Sequence, residues 1–380
     1  MTPTLLTVFA ISMLGAWFGQ ASPSRTYNVL GKRQPNLIGV FITLITVVLF
    51  SGLRNNIGDT VYYLHTYNLD TENGMDLPAI GDKAYLFQLF QYFLHQANAE
   101  PSVFIMICSI LTLVPMIWLF YRYSADYSLS IFLFFTMGIF ASTLNGIRQY
   151  VATGLILLGS KFLFSPKKTD FWKYLILILI ASQIHSSAVI MIPLYFLCRR
   201  KAWSAPAMIS VAAGVAGLIF VSMFLPSFLT LLEDTSYSTY ADGWFDEGGS
   251  TGGANILRVA FNIMPTVLAA IFSKQVRQFG PVADILINIS LVHSAIYILA
   301  LYDWIFARFA FYTYAYVILL MALVFVAVLR SRKYRFFSFL LFGAYIIYFI
   351  IDARANRLNW YASDFFTPNN TMLFKFLYLN

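Results

Sequence analysis

The sequence predicts an all-α polytopic membrane protein of about ten spanning helices. Three observations lead there. Only 11% of the 380 residues are charged, where a soluble domain carries about a quarter. The chain is 59% hydrophobic with a mean hydropathy of +0.71. Apolar runs recur along most of its length, each near the roughly 20 residues that a bilayer core demands. Length alone would suggest two or three soluble domains. The recurring runs replace them with a single transmembrane domain over 1–351 and an external tail over 352–380. The runs are continuous and do not alternate with period two, which excludes a closed barrel.

The elements follow in order. The N-terminal stretch MTPTLLTVFAISMLGAWFG has no basic leader and no clear cleavage site, so it reads as a retained first span, 4–20. Span 36–52 leads into an external loop, 53–102. Within that loop YLFQLFQYFLHQAN places Gln88, Gln91 and His95 on one stripe among aromatics, as in a helix lying in the interface. Spans 103–120, 127–141 and 147–164 follow. The stretch 173–198 has basic clusters on both sides, Lys167, Lys168 and Lys173 before it and Arg199, Arg200 and Lys201 after it. A single crossing would put one cluster outside, so the stretch reads as a hairpin of two half-helices turning near His185. Span 207–228 precedes a second external loop, 229–255, whose glycine-serine tail reads as mobile and whose aromatics, Tyr237 and Tyr240 among them, are suited to covering a substrate. Spans 256–273, 282–301, 309–329 and 336–351 complete the domain.

With the N-terminus outside, most lysines and arginines fall on the cytoplasmic side. All of the 17 acidic residues except Asp126, Asp170 and Asp284 fall outside, as the positive-inside rule requires. Ten crossings return the C-terminus to the outside. The formal charge of +8 therefore reports topology and not a nucleic-acid partner. Cys108 and Cys198 lie in apolar runs and cannot form a scaffold.

Arg54, Arg148, Arg258 and Arg308 depart from that rule, because each hugs the outer end of a span. Three of them, Arg148, Arg258 and Arg308, sit in the expected first turn of a helix running inward, where a cation opposes the helix dipole. The same amide groups bind anions, and arginine grips phosphate bidentately. Snorkelling explains one such arginine; several around one face point to a shared anion. In LNGIRQY, Asn145, Arg148 and Gln149 fall at i, i+3 and i+4, one helical face. GLRNNIGDTVYY is a polar elbow with Arg54, Asn55, Asn56, Asp59 and Thr60 around Gly58. His185, at the hairpin turn in an apolar stretch, is an intramembrane ionisable group. Asp303, beside Trp304, is placed to pair with Arg308 or to act as a base. No Asp-x-Asp motif, P-loop or zinc-spaced cluster is present. GLILLGSK lacks the Gly-Lys pair of a phosphate loop. A nucleotide-driven pump is thereby disfavoured, and no cofactor or metal is expected.

The segments SGLRNNIGDTVYYLHTY, NGIRQYVATGLIL, IHSSAVIMIPLYFLCRRKAWS, SYSTY and DWIFARF occur in that order from about residue 30 to about residue 330. Together they resemble the EpsG family, the Wzy-like polysaccharide polymerases of bacterial exopolysaccharide operons. Family members often carry Gly-Thr-Asp where this chain has Gly58-Asp59-Thr60, which leaves the role of Asp59 open. The resemblance implies a glycosyltransferase using a polyprenyl-diphosphate-linked donor, with a fold of the lipid-linked-donor type. It would act at the outer face of the bacterial plasma membrane, among membrane lipids and other exopolysaccharide synthesis proteins. A growing glycan would pass to a lipid-linked repeat unit, and the lipid diphosphate would leave. On that reading His185 is the base, with Asp59 and Asp303 as competitors. Arg54, Asn56, Asn145, Arg148, Gln149, Arg258, Arg308, Tyr237 and Tyr240 bind substrate. The alternative is a flippase or exporter of lipid-linked glycan, which predicts polar groups through both membrane halves and inverted repeats.

Overall fold

The computed structural model describes residues 3–223, 253–355 and 361–363, and every regular element among them is a helix. The only bridge among the described residues joins Tyr27 and Arg33. The helices are α1 (Pro3–Ala21), α2 (Leu37–Gly52), α3 (Thr60–Asn73), α4 (Tyr85–Gln96), α5 (Pro101–Tyr123), α6 (Tyr127–Thr136), α7 (Ile139–Thr143), α8 (Ile147–Leu158), α9 (Ser160–Leu163), α10 (Asp170–Ser182), α11 (Met191–Cys198), α12 (Ala205–Met223), α13 (Ile256–Ile271), α14 (Ser273–Val276), α15 (Pro281–Leu299), α16 (Tyr314–Val324) and α17 (Arg335–Ala355). Short polar side chains start several of them. Asn36, Asp126 and Asn255 each accept a backbone N–H of the first turn, satisfying donors that no helix bond reaches.

Thr4–Ala21, Pro101–Tyr123, Pro281–Leu299 and Arg332–Ala355 are each long and apolar enough to cross a bilayer. Among the described residues the number rises to six if each of two bent pairs is one span: Ile256–Ile271 with Ser273–Phe279, at 84°, and Trp304–Tyr312 with Tyr314–Leu329, at 72°. Other expected spans are shorter helices. The run 127–141 breaks at Gly138, in the left-handed region at φ 74°, and 147–164 breaks between α8 and α9 at Gly159.

All of α16 is buried; it packs on α15, α13, α6 and α5. Lipid offers such helices no hydrophobic drive to associate, so close approach and hydrogen bonds must hold them. One contact shows how. Pro115 in α5 has no N–H, which frees the Leu111 carbonyl one turn back. A β-carbon on Gly154 of α8 would lie 2.1 Å from that oxygen, so only glycine lets α8 lie against α5 there.

The stretch expected to be a hairpin turns back on itself. Phe171 at the start of α10 packs on Tyr195 and Phe196 near the end of α11, with ring centroids 5.1 and 4.8 Å apart. Arg199 Nη1 donates to Leu163 O at 3.1 Å. At the turn, Gln183 O accepts Leu86 N of α4 at 3.0 Å. The turn thus lies at the same end of the bundle as α3 and α4.

Candidate functional site

The elbow after α2, the start of α8, the α10–α11 turn and the bend before α16 meet at that end. In the elbow, Gly58 has φ 60°, and a β-carbon there would lie 2.3 Å from Leu144 O. Glycine alone allows this conformation and approach at low cost. The approach brings Asp59 Oδ2 to Gly146 N, 2.7 Å away, where a carboxylate also suits the positive end of α8. Arg54, 4% exposed, is engaged by protein. Its Nε donates to Thr60 Oγ1 at 2.7 Å, Nη1 to the Ser51 carbonyl and to Ser109 Oγ at 3.2 Å, and Nη2 to Leu144 O at 3.4 Å. Burial pulls its pKa down to about 10, so it remains a cation at neutral pH. Asn56 Oδ1 accepts Ala362 N at 2.8 Å, and the Tyr361 ring stacks on Phe50 at 4.1 Å. The elbow is therefore also where residues 361–363 dock.

At the start of α8, Gly146 has φ 66° and the helix begins at Ile147. Asn145 consequently precedes the helix, and the single face expected for Asn145, Arg148 and Gln149 does not form. Arg148 Nε donates to Tyr63 Oη at 3.1 Å. Burial, opposed by Arg148, pushes the Tyr63 phenol up to about 12, so it is a neutral hydroxyl there. Gln149 Nε2 donates to Arg308 O at 2.8 Å and to Ser187 Oγ at 3.4 Å.

At the hairpin turn His185 precedes a 3-10 turn, Ser186–Ile190. Its Nδ1 is 2.7 Å from Ser187 Oγ, which is 2.9 Å from Tyr312 Oη. Arg308 lies in a 3-10 helix, Trp304–Tyr312, that Asp303 caps by accepting Ile305 N at 2.9 Å. The 72° bend separates this segment from α16, so Arg308 is not in the first turn of the spanning helix. Its guanidinium lies 5.3 Å from the Trp304 ring centroid.

Arg308 also lines a cavity of about 140 Å³, with Asn145, Arg258, Asn262 and Asp352 as the other amides and charges. Tyr297, Trp304, Phe311, Tyr314 and Tyr348 supply aromatic walls. Arg258 Nη2 pairs with Asp352 Oδ1 at 2.8 Å, and Tyr348 Oη donates to the same oxygen at 3.4 Å. Tyr297 and Tyr314 share a hydroxyl–hydroxyl bond. The cavity thus joins cations, one carboxylate and aromatic faces, groups that suit a sugar bearing an anionic leaving group.

Sequence reasoning passed over Asp352, Asn262 and His293. Asp352 stood just past the expected last span, but α17 continues to Ala355 and buries it. Asn262 and His293 lie inside apolar runs, and a polar group at such depth is itself a functional signal. Tyr237 and Tyr240 lie outside the described residues.

Residues 37–368 match the family model described as the EpsG family. The chain belongs to the EpsG family. No curated protein and no solved structure matches it. EpsG membership implies an exopolysaccharide polymerase-like role of glycosyltransferase type, in a membrane protein. The EpsG match spans the elbow, the hairpin turn, the bend and Asp352, so the whole site falls within the family region.

Proposed function

We propose that this protein transfers a glycan from a polyprenyl-diphosphate-linked donor to a lipid-linked repeat-unit acceptor at the outer face of the plasma membrane. One observation carries the reading: Gln149 Nε2 bonds both Arg308 O and Ser187 Oγ, the hydroxyl that faces His185 Nδ1, and Arg308 also lines the aromatic cavity. A base, anion ligands and a sugar-sized recess then adjoin. In the reaction the acceptor hydroxyl oxygen bonds to the donor's anomeric carbon, and the bond from that carbon to the diphosphate oxygen breaks. The hydroxyl proton goes to the base, and the lipid diphosphate leaves with the electron pair. Charge grows on the diphosphate as its bond breaks, so the arginines stabilise the transition state more than the ground state.

To serve as base, His185 must carry its own proton on Nδ1 and donate it to Ser187 Oγ, leaving the Nε2 lone pair for the acceptor. Ser187 then donates to Tyr312. Asp59 and Asp303 are each held by a backbone N–H, which favours His185. We assign the diphosphate to Arg148 and Arg308, the sugar to the cavity lined by Arg258 and Asn145, to Gln149 the placing of the Arg308 backbone, and a structural role to Arg54 and Asn56.

On a ten-crossing topology with the α10–α11 hairpin, the site faces outward. The basic clusters around Lys167 and Arg200 support this, since they flank the opposite end of that hairpin. The test is to incubate the purified chain with a lipid-linked repeat unit in a chelator. A ladder of glycan lengths with released lipid diphosphate is the expected result. A unit that changes leaflet without gaining length marks a flippase instead.

A further inference from the structure

His293 on α15 is fully buried and takes no part in the reaction as drawn above. Its Nε2 lies 3.1 Å from Asn262 Oδ1, and its Nδ1 lies 2.8 Å from Thr313 Oγ1. Asn262 gives its amide N–H to Arg258 O at 2.8 Å, which turns Oδ1 toward the ring. Nε2 therefore carries the proton of the neutral ring, and Nδ1 is an acceptor facing the Thr313 hydroxyl, whose single proton is shared between Nδ1 and Ala310 O, each 2.8 Å away. The rings of Tyr297 and Tyr314 pack around the imidazole, with centroids 5.0 and 5.1 Å away.

The partners belong to α13 and to the bend before α16. Asn262 sits one turn after Arg258 on α13. Thr313 is the residue at the 72° bend, and its carbonyl accepts Tyr316 N and Val317 N at 3.0 and 3.2 Å. On the far side of the bend lies the 3-10 segment with Arg308. Such segments have poorer hydrogen-bond geometry than an α-helix, and lipid supplies no hydrophobic force to hold a bend. The imidazole bridges α13 and the bend, with Asn262 Oδ1 on one side and the Thr313 hydroxyl on the other.

We propose that His293 is a positioning residue: by bonding Asn262 and Thr313 together it fixes Arg258 and Arg308, which both line the cavity, relative to one another. The inference rests on reading that cavity as the substrate site. His293 touches no substrate. It keeps the arginines at the spacing that one glycan-lipid headgroup requires, and a small displacement of such groups is costly in turnover.

The test uses the full chain in detergent with His293→Phe, His293→Asn and His293→Gln. Asparagine reaches the Nδ1 position and keeps the Thr313 bond. Glutamine reaches the Nε2 position and keeps the Asn262 bond. Phenylalanine keeps only the ring. Hydrogen–deuterium exchange is read over 256–264 and 306–317, and polymerisation of a lipid-linked repeat unit is followed in parallel. His293→Phe is expected to raise exchange in both segments on the order of tenfold, as for loss of a bond that leaves a buried polar partner. It should also lower kcat/KM for the repeat unit by a similar factor. His293→Asn should restore protection over 306–317 alone, and His293→Gln over 256–264 alone, a pattern that loss of packing does not produce. Thr313→Val should reproduce the 306–317 effect and add nothing to His293→Phe, and it decides the matter where His293→Phe does not accumulate. Unchanged exchange in His293→Phe or in Thr313→Val overturns the proposal. The expected exchange pattern in a protein that makes no ladder from the repeat unit leaves the tie standing and removes the polymerase reading.

Discussion

Asp59 Oδ2 accepts the backbone N–H of Gly146 at 2.7 Å, joining the elbow after α2 to a residue 87 positions later. The bond sets where α8 begins and so where Arg148 stands. A capping role and a catalytic role for Asp59 predict different outcomes. Asparagine keeps an acceptor for Gly146 N, whereas alanine does not. Asp59→Asn is expected to polymerise within a few-fold of wild type. Asp59→Ala should lose about 1 kcal/mol of stability, typical of a missing cap. Inactive but stable Asp59→Asn protein would make Asp59 the base.

The tautomer of His185 yields a second prediction. Ser187→Ala removes the acceptor that holds the His185 proton on Nδ1, 2.7 Å away. Turnover should fall by about 10²-fold, the scale of general-base catalysis, with little change in melting temperature. His185→Gln should be at least as impaired. Wild-type rates in His185→Gln make the histidine a structural hydrogen-bonding group.

A third concerns pH at α3 and α4. His95 stacks on Tyr67 at 3.9 Å, and its Nε2 is buried without a hydrogen-bond partner. Burial, opposed by Asp70, holds its pKa below the ordinary value. As pH falls through about 6.5 the unfolded state takes the proton first. The stability contributed by neutral His95 is therefore full above that pH and declines as pH drops toward the folded-state pKa. Exchange over 85–96, corrected for its intrinsic pH dependence, should rise below pH 6.5 and lose that rise in His95→Phe. An identical profile in both proteins removes the assignment to His95.

Much of this was legible in the sequence and some was not. The hairpin turn was readable because charge flanks an apolar stretch on both sides, and that rule needs no three-dimensional information. The arginines stood out for the same reason. Their division of labour did not, because Arg54 and Arg148 look alike until the burial of Arg54 among Ser51, Thr60 and Ser109 is seen. Asn145 was misplaced because a left-handed Gly146 interrupts the helical spacing. Arg308 was misplaced because the bend at Thr313 falls inside an unbroken apolar run. Asp352 meets Arg258 across 94 residues, a separation that no local pattern reports.

Topology provides a fourth prediction. In the proposed topology both flanks of the hairpin are cytoplasmic, and the native Cys108 and Cys198 are buried. A cysteine introduced by Arg200→Cys should resist a membrane-impermeant thiol reagent added to intact cells. Labelling there would invert every later loop and put the cavity on the wrong face for an outer-leaflet donor.

The central claim is that Arg148 and Arg308 hold the departing diphosphate beside His185. The most direct measurement is the rate of glycan-ladder formation from a lipid-linked repeat unit by wild type, Arg308→Ala and Arg308→Lys at matched membrane expression. Truncation should cost on the order of a hundredfold in turnover, as for a preorganised oxyanion donor. Lysine should rescue poorly, because it keeps the charge but loses the bidentate fork. Wild-type ladders from Arg308→Ala would contradict the account.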